Sequence, residues 1–256
     1  MASIPNHKHR KLVLVHTVSP LLGVFGKLGA ELLPGVELKH ILDEPLIERV
    51  RQRGSLAPAD ALRLQGHVAV AEETGAHAVL VTCSTISPCV DDVRPQAGIP
   101  VFKIDEAMIA AAVARGSRIG VLATSPTTLE PTRRLLQAEA DSCGKKIGFE
   151  LLLVEGALPA LLDGDGDTHD RLVKEAVLEL ARRVEVVVLA QASTARVLDV
   201  IPESARPVPI LSSPHLALQK VREVLLTRPI PDPPPAIATA GHLASGRLAD
   251  GGRAGS

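Results

Sequence analysis

The stretch Val79-Leu80-Val81-Thr82-Cys83-Ser84-Thr85 reappears without a gap as Val188-Leu189-Ala190-Gln191-Ala192-Ser193-Thr194, at a constant offset of 109 residues. In each copy an apolar strand runs into a turn of small polar residues. The copies differ where a reactive group would sit, because the first carries a thiol and the second a methyl. A second pair, Val15-His16-Thr17-Val18-Ser19-Pro20 and Val121-Leu122-Ala123-Thr124-Ser125-Pro126, repeats at an offset of 106. Two half-chains that each open with a strand and a Ser-Pro turn imply two similar domains facing each other.

Around these segments the apolar runs predict strands at 12–17, 36–42, 77–82 and 101–104 in the first half, and at 118–123, 149–154, 186–189 and 208–211 in the second. Helical spacing between them predicts helices over 21–33, 45–53, 58–74, 106–114, 127–143, 158–162, 169–183 and 214–226, with a further helix starting near Ser87-Pro88. The strands are continuous Val/Leu-rich runs rather than alternating ones, the pattern of parallel sheets covered on both faces. The expected fold is therefore α/β, with two pseudosymmetric parallel-sheet domains and a cleft between them. The first domain is expected over 11–115, completed by 208–226, and the second over 116–207. Residues 227–256, Pro-rich and then Gly/Ala/Ser-rich, read as a flexible tail.

Composition excludes several functions. With 46% apolar residues in 256, the chain can bury a sizeable core. Its 28 basic and 29 acidic residues are interspersed, leaving a formal charge of −1 and no electrostatic footprint for nucleic acid. Three Phe and no Tyr or Trp offer few base-stacking platforms. The basic segment Asn6-His7-Lys8-His9-Arg10-Lys11 precedes an apolar stretch broken by His16, Ser19, Pro20 and Lys27, which fits neither a signal peptide nor a membrane helix of about 20 residues. A cytoplasmic protein without membrane or nucleic-acid partners is expected. Cys83, Cys89 and Cys143 are odd in number and lack CxxC spacing, against a disulfide framework or structural zinc.

In open parallel sheets, ligands collect beyond the carboxyl ends of the strands, where turns lead into helix N-termini. The four repeated turns occupy such ends. They supply Thr17, Ser19, Ser84, Thr85, Thr124, Ser125, Gln191, Ser193 and Thr194, small donors suited to a compact anion such as a carboxylate. No GxGxxG or GxxxxGK[ST] pattern occurs, and no nucleotide, metal or other cofactor is expected. Cys83 stands on its turn close to a helix start, where positive partial charge favours thiolate and suits a base or nucleophile. The alternative is a strand-end cysteine packed as a small hydrophobe. His16, on the strand expected beside that of Cys83, is placed either to orient or deprotonate the thiol or to serve the structure. Asp43-Glu44 and Asp105-Glu106 are either positioning carboxylates for an ammonium or hydroxyl, or helix-start residues. Asp163-Gly164-Asp165-Gly166-Asp167 lacks the terminal Glu of an EF-hand and reads as a turn capping the next helix. Cys89 and Cys143 fall within helices and read as core packing.

In the order and spacing of His16-Thr17-Val18-Ser19-Pro20, Thr82-Cys83-Ser84-Thr85, Gly120-Val121-Leu122-Ala123-Thr124 and Gln191-Ala192-Ser193-Thr194, residues 12–226 resemble the aspartate/glutamate/hydantoin racemase superfamily, which includes maleate isomerase and arylmalonate decarboxylase. The resemblance implies two pseudosymmetric α/β domains with substrate between them. It also implies a two-base reaction with one cysteine per domain, one removing the proton alpha to a carboxylate and the other returning it on the opposite face. Cys83 matches the first cysteine, and Ala192 stands in place of the second, where a methyl can neither accept nor donate a proton. The decarboxylase relatives use one cysteine in the second half, so this chain would be their mirror case. The expected activity is a cofactor-independent racemase- or isomerase-like reaction on a small carboxylate through Cys83. The alternatives are a malonate-type decarboxylase, a Cys83–His16 hydrolase, or a non-catalytic small-acid-binding protein. The expected partner is a small carboxylate substrate, with homo-oligomerisation left open.

Overall fold

The computed structural model describes residues 10–227. The stretch 228–256 of the expected tail lies outside them. Along the chain run β1 (Lys11–His16), α1 (Pro20–Leu32), β2 (Glu37–Leu42), α2 (Glu44–Arg53), α3 (Pro58–Glu73), β3 (Ala78–Val81), α4 (Cys89–Val93), β4 (Val101–Lys103) and α5 (Glu106–Arg115). The second half follows with β5 (Arg118–Ala123), α6 (Pro126–Ser142), β6 (Gly148–Leu153), α7 (Ala157–Leu162), α8 (Gly166–Leu180), β7 (Val186–Leu189), a 3₁₀ helix (Ala192–Asp199), β8 (Ile210–Ser212) and α9 (Ser213–Thr227).

All strand pairs are parallel, in two four-stranded sheets of order β2-β1-β3-β4 and β6-β5-β7-β8. The orders are equivalent. Cys83 follows the third strand in the first sheet and Ala192 follows the third strand in the second, so the sequence repeat is a repeat of position in the fold. Central strands are buried on both faces, as in Val79, Leu80 and Val81 of β3 and Val187, Val188 and Leu189 of β7, which accounts for their continuous apolar runs.

Local chemistry sets the boundaries. Pro20 and Pro126 begin α1 and α6 at positions where no amide donor is needed. Asp43 caps α2 by accepting from the Leu46 amide at 3.2 Å, and Gly54 ends that helix with φ of 79°, a left-handed conformation that suits glycine. Asp165 accepts from the Thr168 amide at 3.0 Å and caps α8, the role read for the Asp/Gly run. At Gly120, mid-strand in β5, a Cβ would stand 2.8 Å from Leu180 Cγ, so the glycine lets α8 seat directly on the sheet.

The structure departs from the expected domain division at two crossings. The last strand, expected to complete the first domain, pairs with β7 in the second sheet, with Val187 opposite Ile210. In exchange α5, expected with the first domain, packs Met108, Ile109, Ala112 and Val113 against Val121 of β5 and Val186 and Val188 of β7. The final helix does cross back: Ala217, Leu218, Val221 and Leu225 of α9 pack with Leu12, Leu14 and Leu80 of the first sheet. Each half thus covers the other's sheet with one helix, and the two edges stay side by side.

Candidate active site

The carboxyl ends of the two sheets enclose a cavity of about 550 Å³. Thr17, Cys83, Ser84 and Thr85 line it from the first half, and Ser125, Gln191, Ala192 and Ser193 from the second. Cys83 is the only thiol among the lining residues. The two halves touch at this edge, where the hydroxyls of Thr85 and Thr128 lie 3.2 Å apart.

Cys83 is half-buried. Its sulfur faces the Thr17 hydroxyl and the backbone amides of Ile86 and Thr85, with the Arg51 cation nearby. Burial nevertheless dominates these groups and pushes the thiol above its ordinary value. That upward push runs against the thiolate expected from the turn and helix start.

His16 does not serve that thiol. Its Nε2 lies 2.9 Å from His40 Nδ1 and its Nδ1 lies 2.8 Å from Thr82 Oγ1. Since the Thr82 hydroxyl donates to the Val15 carbonyl at 3.0 Å, His16 donates from Nδ1 and accepts at Nε2. Both ring nitrogens are occupied, and the ring is fully buried. Burial, followed by repulsion from His40, lowers its pKa to about 4, so it is neutral. His16 is a structural residue that ties β1 to β2 and to the end of β3.

Of the other expected binding residues, Thr124, Thr194 and Ser19 lie outside the lining, and Gln191 lines the cavity while its side chain is already engaged. Gln191 Oε1 accepts from the Thr124 amide, from the Thr124 hydroxyl at 3.0 Å and from the Ser125 amide at 3.2 Å, locking the turn after β5 to the turn after β7. Thr124 is consumed by that lock, while Thr194 donates to the Gln191 carbonyl at 2.7 Å and caps its own turn. Ser19 is exposed and outside the lining, with its amide on Glu44 Oε1 at 3.2 Å.

The carboxylate pairs are equally resolved. Asp43 is held by Arg63 through Nε at 2.5 Å and Nη2 at 2.6 Å, and by His67 at 2.6 Å. Burial works to raise its pKa, but Arg63 and His67 outweigh it and hold the carboxyl below the usual range. Asp105 is buried at the start of α5 without capping it, and it does not line the cavity. Cys89 is buried as expected, and burial pushes its thiol up to about 11. Cys143, expected in the core, is exposed, because it ends α6 rather than lying on the buried face.

One strong candidate escaped the sequence reading. Arg49, Arg51 and Arg53 alternate along α2, and Asp60 on α3 pairs with Arg49 at 3.3 Å and with Arg53. Two residues along a helix is a turn of about 200°, so Arg51 is carried to the opposite side, into the cavity lining. Its Nε is buried and has no hydrogen-bond partner among the described residues. The Ser84 hydroxyl, also lining the cavity, is buried without a partner as well. Unpaired buried donors carry a desolvation cost that an anionic ligand would relieve. The alternation of arginines was visible in the sequence, but the acid that pairs with two of them lies on another helix.

The sequence profile of the Asp/Glu/Hydantoin racemase family matches residues 27–221. No curated protein sequence matches. Among solved structures, an allantoin racemase from Klebsiella pneumoniae is similar, with a TM-score of 0.65 and 18% identity over 85% of this chain and 88% of its own. A glutamate racemase from Bacillus anthracis has a TM-score of 0.62 and 18% identity over 86% of this chain and 82% of its own. A double mutant of arylmalonate decarboxylase in the liganded form has a TM-score of 0.55 and 18% identity, covering 87% of this chain and 97% of its own. At such identities the likeness is one of fold. Among the described residues no helix is long and apolar enough to cross a membrane.

Proposed function

The chain belongs to the Asp/Glu/hydantoin racemase family, and on that premise we propose that it is a cofactor-independent enzyme of racemase or isomerase type that acts on a carboxylate through the single thiol of Cys83. The observation that carries this reading is the meeting of the two repeated turns in one cavity, with Cys83 on one and Ala192 on the other. Arg51, the Ser84 hydroxyl, Thr17, Thr85, Ser125 and Ser193 are the donors that would hold the carboxylate and the charge that develops on it when a carbanion forms at C2. Cys83 exchanges a proton with that carbon from one face. The opposite face meets the methyl of Ala192, which offers no second acid.

Burial that pushes the Cys83 thiol above its ordinary value favours a second reading within the same chemistry, decarboxylation of a malonate-type acid, in which the thiol need only donate a proton. There the bond from C2 to one carboxyl breaks, carbon dioxide leaves, and the electron pair spreads into the remaining carboxylate. The Cys83 proton then moves to C2, and solvent reprotonates the thiolate. Solvent deuterium incorporation at C2 of a panel of 2-amino, 2-hydroxy and malonate-type acids tests both. Incorporation in a single stereochemical sense, lost in Cys83→Ala, is expected. Incorporation that survives Cys83→Ala removes the thiol from the mechanism, and absence of any incorporation favours the non-catalytic binding protein.

A further inference from the structure

The cavity is larger and more apolar than a dicarboxylic amino acid requires. Its volume of about 550 Å³ is the space of roughly 18 waters at about 30 Å³ each, whereas an amino acid of that kind has about ten non-hydrogen atoms. Away from the polar turns the lining includes Leu21 of α1, Ile47 of α2, Leu158, Leu161 and Leu162 of α7, and Leu198 of the 3₁₀ helix. The three leucines of α7 stand at i, i+3 and i+4 and so share one face of that helix. Leu162 is 59% exposed, so this apolar face lacks a full covering from the protein itself.

The charges are distributed unevenly. Lys27, Glu31, Arg196, Asp199 and His215 line the cavity but are exposed, and Arg196 is engaged by Asp170 at 2.9 Å. Arg51 is the charged lining residue with a buried, unpartnered donor. No buried carboxylate lines the cavity, since Asp43, the acid nearest in sequence to the end of β2, is closed by Arg63 and His67 and lies outside the lining. An anionic head therefore finds buried unpartnered donors here, while an ammonium finds hydroxyl oxygens but no buried carboxylate to offset the loss of its hydration.

We propose that the substrate is a carboxylic acid bearing a bulky apolar group and no ammonium, with its carboxylate toward Arg51 and Ser84 and its apolar group against the leucines of α7 and α1. This rests on the assignment of carboxylate chemistry to the Cys83 turn. It adds the specificity-determining residues Leu158 and Leu161, which select the substituent.

The test is calorimetric binding of three acids to the full chain. Propanoate and 3-phenylpropanoate differ by the phenyl group, and 3-phenylpropanoate and phenylalanine differ by the ammonium. Affinity should rise at least about tenfold with the phenyl group, since one methylene in an apolar pocket is already worth about tenfold or more, and should fall at least about tenfold with the ammonium. Leu158→Gln and Leu161→Gln, both at half-buried positions, should weaken 3-phenylpropanoate more than propanoate and so shrink the phenyl preference. Arg51→Gln should weaken both unaminated acids alike. Phenylalanine, aspartate or glutamate binding more tightly than 3-phenylpropanoate overturns the proposal, as does a phenyl preference untouched by both leucine variants. Deuterium incorporation separates the parent reading: tight 3-phenylpropanoate binding with no incorporation into any acid of the panel supports the pocket assignment and sinks the acid/base role of Cys83. Incorporation into aspartate or glutamate alone does the reverse.

Discussion

Replacing Asp105 by Asn should stabilise the protein increasingly as pH rises. The Asp105 carboxyl is buried at the start of α5, and neither oxygen has a hydrogen-bond partner among the described residues. Burial raises its pKa to about 7, a push that the neighbouring Ser87 hydroxyl and the Lys103 ammonium offset only in part. In the unfolded chain the group titrates near 3.8. Between those values the unfolded state releases a proton that the native state retains, so native stability falls as pH increases from about 4 to about 7. From pH 5 to pH 8 the loss amounts to about two pKa units, or about 3 kcal/mol. For a chain of this size that corresponds to roughly 5–10 °C in melting temperature. Asparagine never ionises, so the loss is absent from the variant. Thermal unfolding of both proteins should show the Asp105→Asn minus wild-type difference growing by that amount between pH 5 and pH 8. Using the change in the difference removes the fixed cost of burying an amide, and it also cancels the acid sensitivity contributed by His16. A difference that stays level across this range would show that Asp105 is ionised in the native state and paired, contrary to the reasoning.

Cys83→Ala should abolish deuterium incorporation while shifting the melting temperature by only a few degrees; a thiol-directed alkylator should reach exposed Cys143 first and buried Cys89 last, as read by peptide mass mapping. Ala192→Cys should place an acid on the face opposite Cys83 and convert a single-enantiomer product into a racemic one by chiral chromatography. Weak activity is compatible with that, since an error of about 1 Å in placement costs roughly a hundredfold, but a wild type that already racemises would refute the one-base reading. Gly120→Ala forces a Cβ to within 2.8 Å of Leu180 Cγ and should destabilise by about 1–3 kcal/mol in denaturant unfolding; an unchanged midpoint would show that α8 can move away from β5.

The alternation of buried runs and helical periods was enough to read the α/β class, because short continuous Val and Leu stretches such as Val79-Leu80-Val81, recurring between helical periods, suit strands covered on both faces. The internal repeat carried more. Cys83 and Ala192 share a register in the sequence and occupy equivalent places in two equivalently ordered sheets. That relation was legible because the repeated segments sit at the same point in each run of strands, and strand order places the turns.

What the sequence could not show was which polar groups are already taken. The sequence left His16 open between serving Cys83 and serving the structure, and its two nitrogens face His40 and Thr82, one from the neighbouring strand and one from the end of the next. Asp43 was open between positioning a substrate and starting a helix; it caps α2, and Arg63 and His67 reach it from α3. Arg51 went unremarked, yet it retains an unpartnered buried donor because Asp60 takes the arginines on the other side of its helix. The thiol of Cys83 shows the same division. Its turn supplies donors that favour thiolate, as the sequence implies, but burial disfavours charge more strongly, and burial depends on packing against segments distant in sequence. The sequence by itself determined the periodicities, the repeat and the residue types at the strand ends. The tertiary structure decided the exchange of α5 and α9 between sheets, the pairing of side chains distant in sequence and the burial of the thiol, since each depends on distances and desolvation that arise only when separate segments are packed together.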